Sequence, residues 1–193
     1  MKSMKQTVLI MLALLLSLTA GAQSAEKLYT EGKALYDAKN YTKAIEKLKV
    51  AAEKGHKKAQ YRLGFCYDKG KGVKEDDAKA FQWYSKSAAQ GYAKAQYQLG
   101  QCYKNGEGTA KDRAKAIEMY NKAASQGNAN AQYQLGKCYM KGKGVPQNDS
   151  KAKSLFKKAV SNEKDGKEIL QEIRKDAADG DEDAKKILEM IKK

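Results

Sequence analysis

A fifteen-residue phrase that occurs three times constrains the fold of this chain more than any other feature. The copies begin at Ala59, Ala95 and Ala131, each 36 residues after the one before, and read AQYRLGFCYDKGKGV, AQYQLGQCYKNGEGT and AQYQLGKCYMKGKGV. A period between about 20 and 50 residues is typical of stacked supersecondary units, none of which buries its apolar face alone. The phrase therefore predicts a repeat array, and such arrays usually present a surface to a partner.

Each repeat is predicted to be a helical hairpin. In the middle copy, Ala95, Leu99 and Cys102 follow a helical spacing, which predicts a first helix from about Tyr92 to Asn105. A glycine inside a helix costs about 1 kcal/mol relative to alanine, so its recurrence predicts that a neighbouring helix approaches closely there. These helical glycines are Gly64, Gly100 and Gly136.

The turns and second helices also recur in register. Paired glycines are expected to end each first helix, and Asp76, Asp112 and Asn148 are predicted N-caps of the second. Gly91 and Gly127 are expected just beyond the ends of second helices. After Lys164 the pattern weakens into a charged segment, which we expect to form a hairpin that covers the last apolar face.

The three copies resemble the Sel1-like repeat (SLR). The likeness lies in the pattern A-x-Y-x-L-G-x-x-Y-x-x-G-x-G-V, the following D-x-x-K-A and a helix that ends K-A-A-x-x-G. The opening block, with Leu28, Gly32, Leu35, Ala44 and Leu48, is similar to a tetratricopeptide (TPR) unit. The implied organisation is a signal peptide at 1–22, a TPR-like hairpin at 23–55, SLR repeats at 56–91, 92–127 and 128–163, and a degenerate capping hairpin at 164–193.

The resemblance implies an all-α fold, a right-handed α-solenoid of stacked antiparallel helical hairpins whose first helices line a concave groove. Family members mostly act as adaptors that hold other proteins, so we expect a monomeric, non-enzymatic scaffold for a protein or peptide. Alignment on the helical glycines places a tyrosine at one groove-facing position, with lysines nearby, which suits an acidic or aromatic-containing peptide. The alternative is that these tyrosines pack between hairpins. The predicted groove residues are Tyr29, Lys33, Lys58, Tyr61, Phe65, Lys94, Tyr97, Gln101, Tyr133 and Lys137.

The N-terminal residues predict export. Lys2 and Lys5 precede an apolar run over residues 8–18, and Ala20-Gly21-Ala22 has the small-x-small pattern of a cleavage site. The run is shorter than the roughly 20 residues that a transmembrane helix needs. We therefore expect a signal peptide that is cut near Ala22 and a mature chain without a transmembrane segment, in the periplasm or secreted.

The excess of positive charge suggests an alternative function. The chain carries 38 Lys and Arg against 23 Asp and Glu, a formal net charge of +15, and such a field favours anionic partners. An anionic polymer, meaning an envelope polysaccharide, lipid head groups or nucleic acid, is therefore the alternative partner, and its binding would weaken strongly with salt. The chain has three arginines and no stacking motif built on them, which weighs against nucleic acid.

The three cysteines are not expected to pair. Cys66, Cys102 and Cys138 occupy one repeat position, and equivalent positions of packed helices lie about 8–10 Å apart. A disulfide needs Cα atoms within about 7 Å, so we expect small buried thiols, and the same spacing argues against a metal site. Some secreted SLR proteins are cysteine-rich, with a disulfide in each repeat, but this chain has one cysteine per repeat at another place.

No catalytic residue or cofactor is predicted. A β-lactamase-like hydrolase is a minor alternative, because some secreted SLR proteins carry that label and Ser-x-x-Lys occurs four times. No SDN or KTG motif follows, although that chemistry needs both, and no small-molecule substrate is expected. His56, the one histidine, lies at a repeat junction. The Ser-x-x-Lys pairs are Ser24/Lys27, Ser150/Lys153, Ser154/Lys157 and Ser161/Lys164.

Overall fold

Helices make up all the regular secondary structure in the computed structural model, which describes residues 24–192. The predicted signal peptide, residues 1–22, lies outside the described residues. The chain divides after Gln90 into two units. The first contains α1 over residues 24–37, α2 Tyr41–Glu53, α3 Lys57–Asp68 and α4 Asp77–Ala89. The second contains α5 Ala93–Asn105, α6 Arg113–Ser125, α7 Ala129–Lys141, α8 Asp149–Val160, α9 Gly166–Ala178 and α10 Glu182–Lys192.

Each hairpin closes around the glycine inside its first helix. A Cβ atom added at Gly100 would lie 2.6 Å from the Tyr120 ring, and one added at Gly136 would lie 2.7 Å from the Phe156 ring. Gly64 faces the Tyr84 ring in the same way, at 2.8 Å. Only the absence of a side chain lets these rings enter, so the predicted close approach is confirmed. The rings themselves are almost completely buried.

The predicted ends of the helices are also confirmed. The side chains of Asp76, Asp112 and Asn148 accept hydrogen bonds from the backbone N–H three residues later, at 2.8–2.9 Å. These bonds satisfy amides that have no partner inside the helix. Gly106 and Gly142 cap α5 and α7 in the left-handed conformation, with φ of 81° and 63°, which glycine adopts without steric cost.

Glutamines of the repeated phrase link consecutive helices within each unit. In the first unit, Gln60 donates to Ala52 O at 3.0 Å and accepts a hydrogen bond from Gln90 Nε2 at 2.7 Å. In the second, Gln96 accepts the same bond from Gln126 Nε2, also at 2.7 Å. The side-chain oxygen of Gln132 is buried and has no hydrogen-bond partner among residues 24–192.

The last two helices cover the end of the second unit. Ile169, Ile173 and Ile187 of α9 and α10 pack with Phe156 of α8 in one buried apolar cluster. Ion pairs join α10 to the preceding repeat, Lys141 to Asp183 and Lys186 to Asp149. The segment expected to form a capping hairpin therefore contains a hairpin whose apolar face is buried against the last repeat.

Candidate partner-binding surface

The first unit holds two of the four aligned tyrosines. Tyr29 is half-buried and its ring stacks on His56, with 4.5 Å between the ring centroids. Tyr61 is also half-buried, and its ring lies 5.9 Å from that of Tyr84 in the same hairpin. One side of each ring is therefore packed on the protein, and part of each ring remains accessible to solvent.

His56 has a structural role that sequence reasoning missed. Its Nδ1 accepts a hydrogen bond from the Ala59 backbone N–H at 3.1 Å, which makes it the N-cap of α3. Its Nε2 donates to Glu26 Oε2 at 2.7 Å. The corresponding junction residue of the third phrase is Asn128, which caps α7 with its side-chain oxygen. Asn128 could therefore have suggested an N-cap at this repeat position. In α3 the imidazole of His56 takes the place of the Asn128 side-chain amide.

The other predicted residues of the first unit differ in exposure. Lys33 and Lys58 are exposed, and Lys33 pairs with Asp37 one turn later at 2.6 Å. The Lys33 ammonium holds the pKa of the Asp37 carboxyl below its usual value. Phe65 is half-buried. These residues thus provide exposed cations beside partly accessible aromatic rings.

A hydrogen-bonded relay fixes Tyr97 in the second unit. Tyr97 is half-buried, 6.1 Å from the Tyr120 ring between centroids. Gln101 Nε2 donates to the Tyr97 oxygen, and the Tyr120 hydroxyl donates to Gln101 Oε1, both at 2.7 Å. Burial raises the pKa of both phenols, so both remain neutral donors and acceptors at physiological pH. Gln101 therefore positions the two tyrosines, and Lys94 is exposed one turn before Tyr97.

Tyr133 departs from its predicted place. Only 8% of its surface is exposed, because the ring lies in the apolar cluster with Ile169 and Ile173 of the last hairpin. Burial and the carboxylates of that hairpin, Glu172 first, raise the pKa of Tyr133 to about 12. Lys137 lies 5.4 Å from the centre of its ring. The hairpin thus covers Tyr133, which is not accessible in the way that Tyr97 is, while the other groove assignments stay predictions.

A basic cleft of about 810 Å³ lies between α5, α6 and α7. Its walls also carry Asn105, Gln134 and Cys138, and its apolar lining includes Ile117 and Tyr120. Among the described residues that line it, none is acidic. Of the predicted groove residues, only Lys137 belongs to it. Its six cationic residues are Lys104, Lys111, Arg113, Lys137, Lys141 and Lys143.

A comparison of charges across the repeat could have revealed this cleft. The residues 36 positions before its six cations, in the same order, are Asp68, Glu75, Asp77, Gln101, Asn105 and Glu107. Four of these six are acidic and two are amides, so the charge is reversed at four of these repeat positions and gained at the other two. A uniformly lysine-rich surface would not produce that reversal.

The cysteines are free thiols, as predicted from their spacing. Cys66 and Cys102 are buried, whereas Cys138 is half-buried in the wall of the cleft. Burial raises the pKa of the Cys66 thiol to about 11. It also raises the pKa of Cys138, against the opposing effect of Lys104 and other nearby cations. In both groups the raised pKa disfavours the thiolate, which is the nucleophilic form.

Residues 24–192 contain no group of three or more His, Cys, Asp or Glu side chains placed to hold a metal ion. No helix in the same range combines the length and the hydropathy needed to cross a bilayer.

Comparisons with known proteins agree with this architecture. The family model for the Sel1 repeat matches residues 24–56, 57–92, 93–128 and 129–163, so its first match covers the opening hairpin. A Sel1 repeat protein from Oxalobacter formigenes is 37% identical, with a TM-score of 0.66, over 69% of this chain and 53% of that one. The protective antigen c5321 of uropathogenic Escherichia coli, which displays an SLR fold, is 30% identical, with a TM-score of 0.70, over 91% of this chain and 43% of that one.

A third structure, the cysteine-rich protein B of Helicobacter pylori, is 27% identical, with a TM-score of 0.51, over 65% of this chain and 96% of that one. The chain spans about half the length of the first two structures. The search of curated proteins found no match.

These matches confirm the predicted all-α helical-repeat solenoid. Sel1 repeats generally mediate protein–protein interactions on a scaffold that is typically non-catalytic. With four matched repeats that account for residues 24–163, the chain belongs to the Sel1-repeat family.

Proposed function

We propose that this protein is a monomeric, non-enzymatic scaffold that acts outside the cytoplasm and binds a protein or peptide through the first helices of its hairpins. The proposed partner is acidic or contains aromatic residues. Export rests on the basic and apolar composition of residues 1–22.

The partial exposure of the aligned tyrosines carries this proposal. Tyr29, Tyr61 and Tyr97 each pack one side of the ring on the protein and leave part of the ring accessible. Such rings lose little conformational entropy on binding, because neighbouring side chains already hold them. Aromatic anchors of this kind tend to dominate the energy of interfaces. The exposed Lys58 and Lys94 add positive charge beside Tyr61 and Tyr97, whereas the charge of Lys33 is paired with Asp37.

The test is capture of the partner from an extract of the source organism's envelope and medium. We expect Tyr61→Ala/Tyr97→Ala to lose a protein that the wild type retains in high salt. The matched control is Tyr67→Ala/Tyr103→Ala, which removes two half-buried tyrosines of the same phrase from another face of the same helices. Thermal melts of both variants establish that they are folded. Equal loss with both variants would contradict the assignment of the face.

The six-cation cleft favours one alternative function, the binding of an anionic polymer. Binding that rests on released counterions weakens steeply with salt, whereas burial of aromatic rings does not. Polymer that is captured at low salt, shed at high salt and indifferent to Tyr61 and Tyr97 would support the alternative over the scaffold.

A further inference from the structure

The basic cleft of the second unit combines charge, shape and polar lining in a way that indicates a ligand. Its volume of about 810 Å³ lies within the range of binding sites, about 300–1,000 Å³. Six cationic side chains converge on it from three helices and the turns that follow α5 and α7. Bringing like charges together is unfavourable, so the arrangement is best compensated by an anion.

The side chains of the cleft suit a peptide better than a compact anion. Five of the six cations are lysines, flexible point charges that can reach carboxylates spaced along a chain, whereas only Arg113 offers the planar fork that matches phosphate. Asn105 and Gln134 can hydrogen-bond to peptide groups, whereas Ile117 and Tyr120 are buried in the wall of the cleft.

One carboxylate of this chain already lies at the rim. Lys141 forms an ion pair with Asp183, in the first turn of α10. Asp183 belongs to the sequence Asp181-Glu182-Asp183, of which Asp181 accepts a hydrogen bond from Ala184 N and Glu182 pairs with Lys185, so one carboxylate of an acidic segment contacts one of the six cations.

We propose that this cleft binds an acidic segment of a protein partner, and that Asp183 competes with that segment for Lys141. The inference rests on the proposed function and names the site and the chemistry of part of the partner. It places the acidic contact at the cations of α5, α6 and α7 and of the turns that follow α5 and α7.

The experiment measures binding of a fluorescein-labelled decaglutamate peptide to the purified protein by fluorescence anisotropy at physiological salt. A decaglutamine peptide and inorganic tripolyphosphate are the comparison probes. Lys111→Gln/Lys143→Gln removes two cations of the cleft. The matched control, Lys157→Gln/Lys158→Gln, removes the same charge from exposed positions of α8.

We expect the cleft variant to bind decaglutamate about tenfold more weakly, because it loses two of six converging cations, while the control variant binds like the wild type. Asp183→Asn is expected to tighten binding, because it releases Lys141. Equal weakening by the cleft and control variants would overturn the inference in favour of a general charge field. Tight tripolyphosphate binding without decaglutamate binding would overturn it in favour of a phosphate site.

Partner capture separates this inference from the proposed function. If the cleft variant retains a partner that Tyr61→Ala/Tyr97→Ala loses, the scaffold stands and the acidic contact is overturned. If no protein is captured by any form while decaglutamate binds at the cleft, the scaffold falls and the site remains as one for acidic chains. Loss of the same partner with both variants supports both proposals.

Discussion

The two repeats of the second unit share the same phrase, but the aligned tyrosine of that phrase differs in solvent exposure between them. In α5–α6, Tyr97 is half-buried and its hydroxyl is bound by Gln101. In α7–α8, Tyr133 occupies the same position and is 8% exposed beneath the last hairpin. The phrase therefore determines how each hairpin closes, because Tyr120 and Phe156 enter glycine sites in the same way. The exposure of a surface position depends instead on what packs beside the repeat.

The largest effect is expected from removing the aromatic ring that packs on the helical glycine, a feature that the two repeats share. Phe156→Ala should lower the free energy of unfolding by about 3–5 kcal/mol, because the ring is fully buried against Gly136 and contributes to the cluster with α9. Chemical denaturation measures the change. Lys157→Ala, next in sequence and exposed, should stay within about 0.5 kcal/mol. Similar losses for both variants would show that the ring does not organise the hairpin.

The covered tyrosine should make stability depend on alkaline pH. The pKa of Tyr133 is about 12 in the folded protein, whereas an unfolded tyrosine ionises near pH 10. The stability is fully present below pH 10 and is lost as pH rises toward 12, by about 2 kcal/mol for this group. Urea denaturation from pH 8 to pH 11 should show a shallower decline in Tyr133→Phe than in the wild type. An unchanged decline would argue against the burial of Tyr133.

A methyl group at Gly100 tests the packing of the uncovered repeat. Alanine is the better helix former by about 1 kcal/mol, yet its Cβ would lie 2.6 Å from the Tyr120 ring. We expect overpacking to dominate and Gly100→Ala to be destabilising by about 1–3 kcal/mol. Thermal and urea unfolding measure this, and a variant as stable as the wild type would mean that the ring moves aside freely.

Substitution of Gln96 and of Gln132 should lower the free energy of unfolding by different amounts. Gln96 accepts from Gln126, whereas the Oε1 atom of Gln132 is buried without a partner in the described part of the chain. Leucine at position 132 removes an unsatisfied oxygen together with the bond from Nε2 to Ala124 O, whereas leucine at position 96 removes an oxygen that accepts from Gln126. Gln132→Leu should therefore be less destabilising than Gln96→Leu, by about 1 kcal/mol. Equal costs in urea denaturation would contradict the difference seen in the structure.

The smallest expected effect concerns the caps at Asp112 and Asn148. The Lys115 backbone amide, followed by the Lys115 ammonium, holds the pKa of Asp112 below its ordinary value of 3.8. The stabilisation is present above that pH and is lost as pH falls below it. Asp112→Asn should keep the cap, because Asn148 caps α8 in the same way, and should reduce the loss of melting temperature between pH 5 and pH 2. An unchanged acid profile would contradict the role of this carboxylate.

The hairpins were predictable because their signals are local and recur. The caps at Asp76 and Asp112 and the glycine sites could be inferred from residue type and spacing alone. The exposure of Tyr133 could not, because it depends on Ile173, forty residues later and outside the repeat pattern. Gln101 was placed in the groove, but its bonds to Tyr97 and Tyr120 require coordinates. The basic cleft could be identified only by comparing the charges of equivalent residues between copies. A search for residues that the copies share does not detect it.

Asn162 changes the hydrogen-bonded link at the end of the repeats. Asn162 stands where the two earlier copies have Gln90 and Gln126. Its side-chain oxygen accepts from the amides of Lys164 and Asp165, and its nitrogen donates to Gly127 O. A side chain one methylene shorter is thus committed to the turn that starts the last hairpin. Asn162 keeps the bond to a glycine carbonyl that Gln90 makes to Gly55, whereas Gln132 Oε1, the counterpart of the oxygens that accept from Gln90 and Gln126, has no partner in the described part of the chain. The shorter side chain thus exchanges a bond between repeats for bonds within the turn.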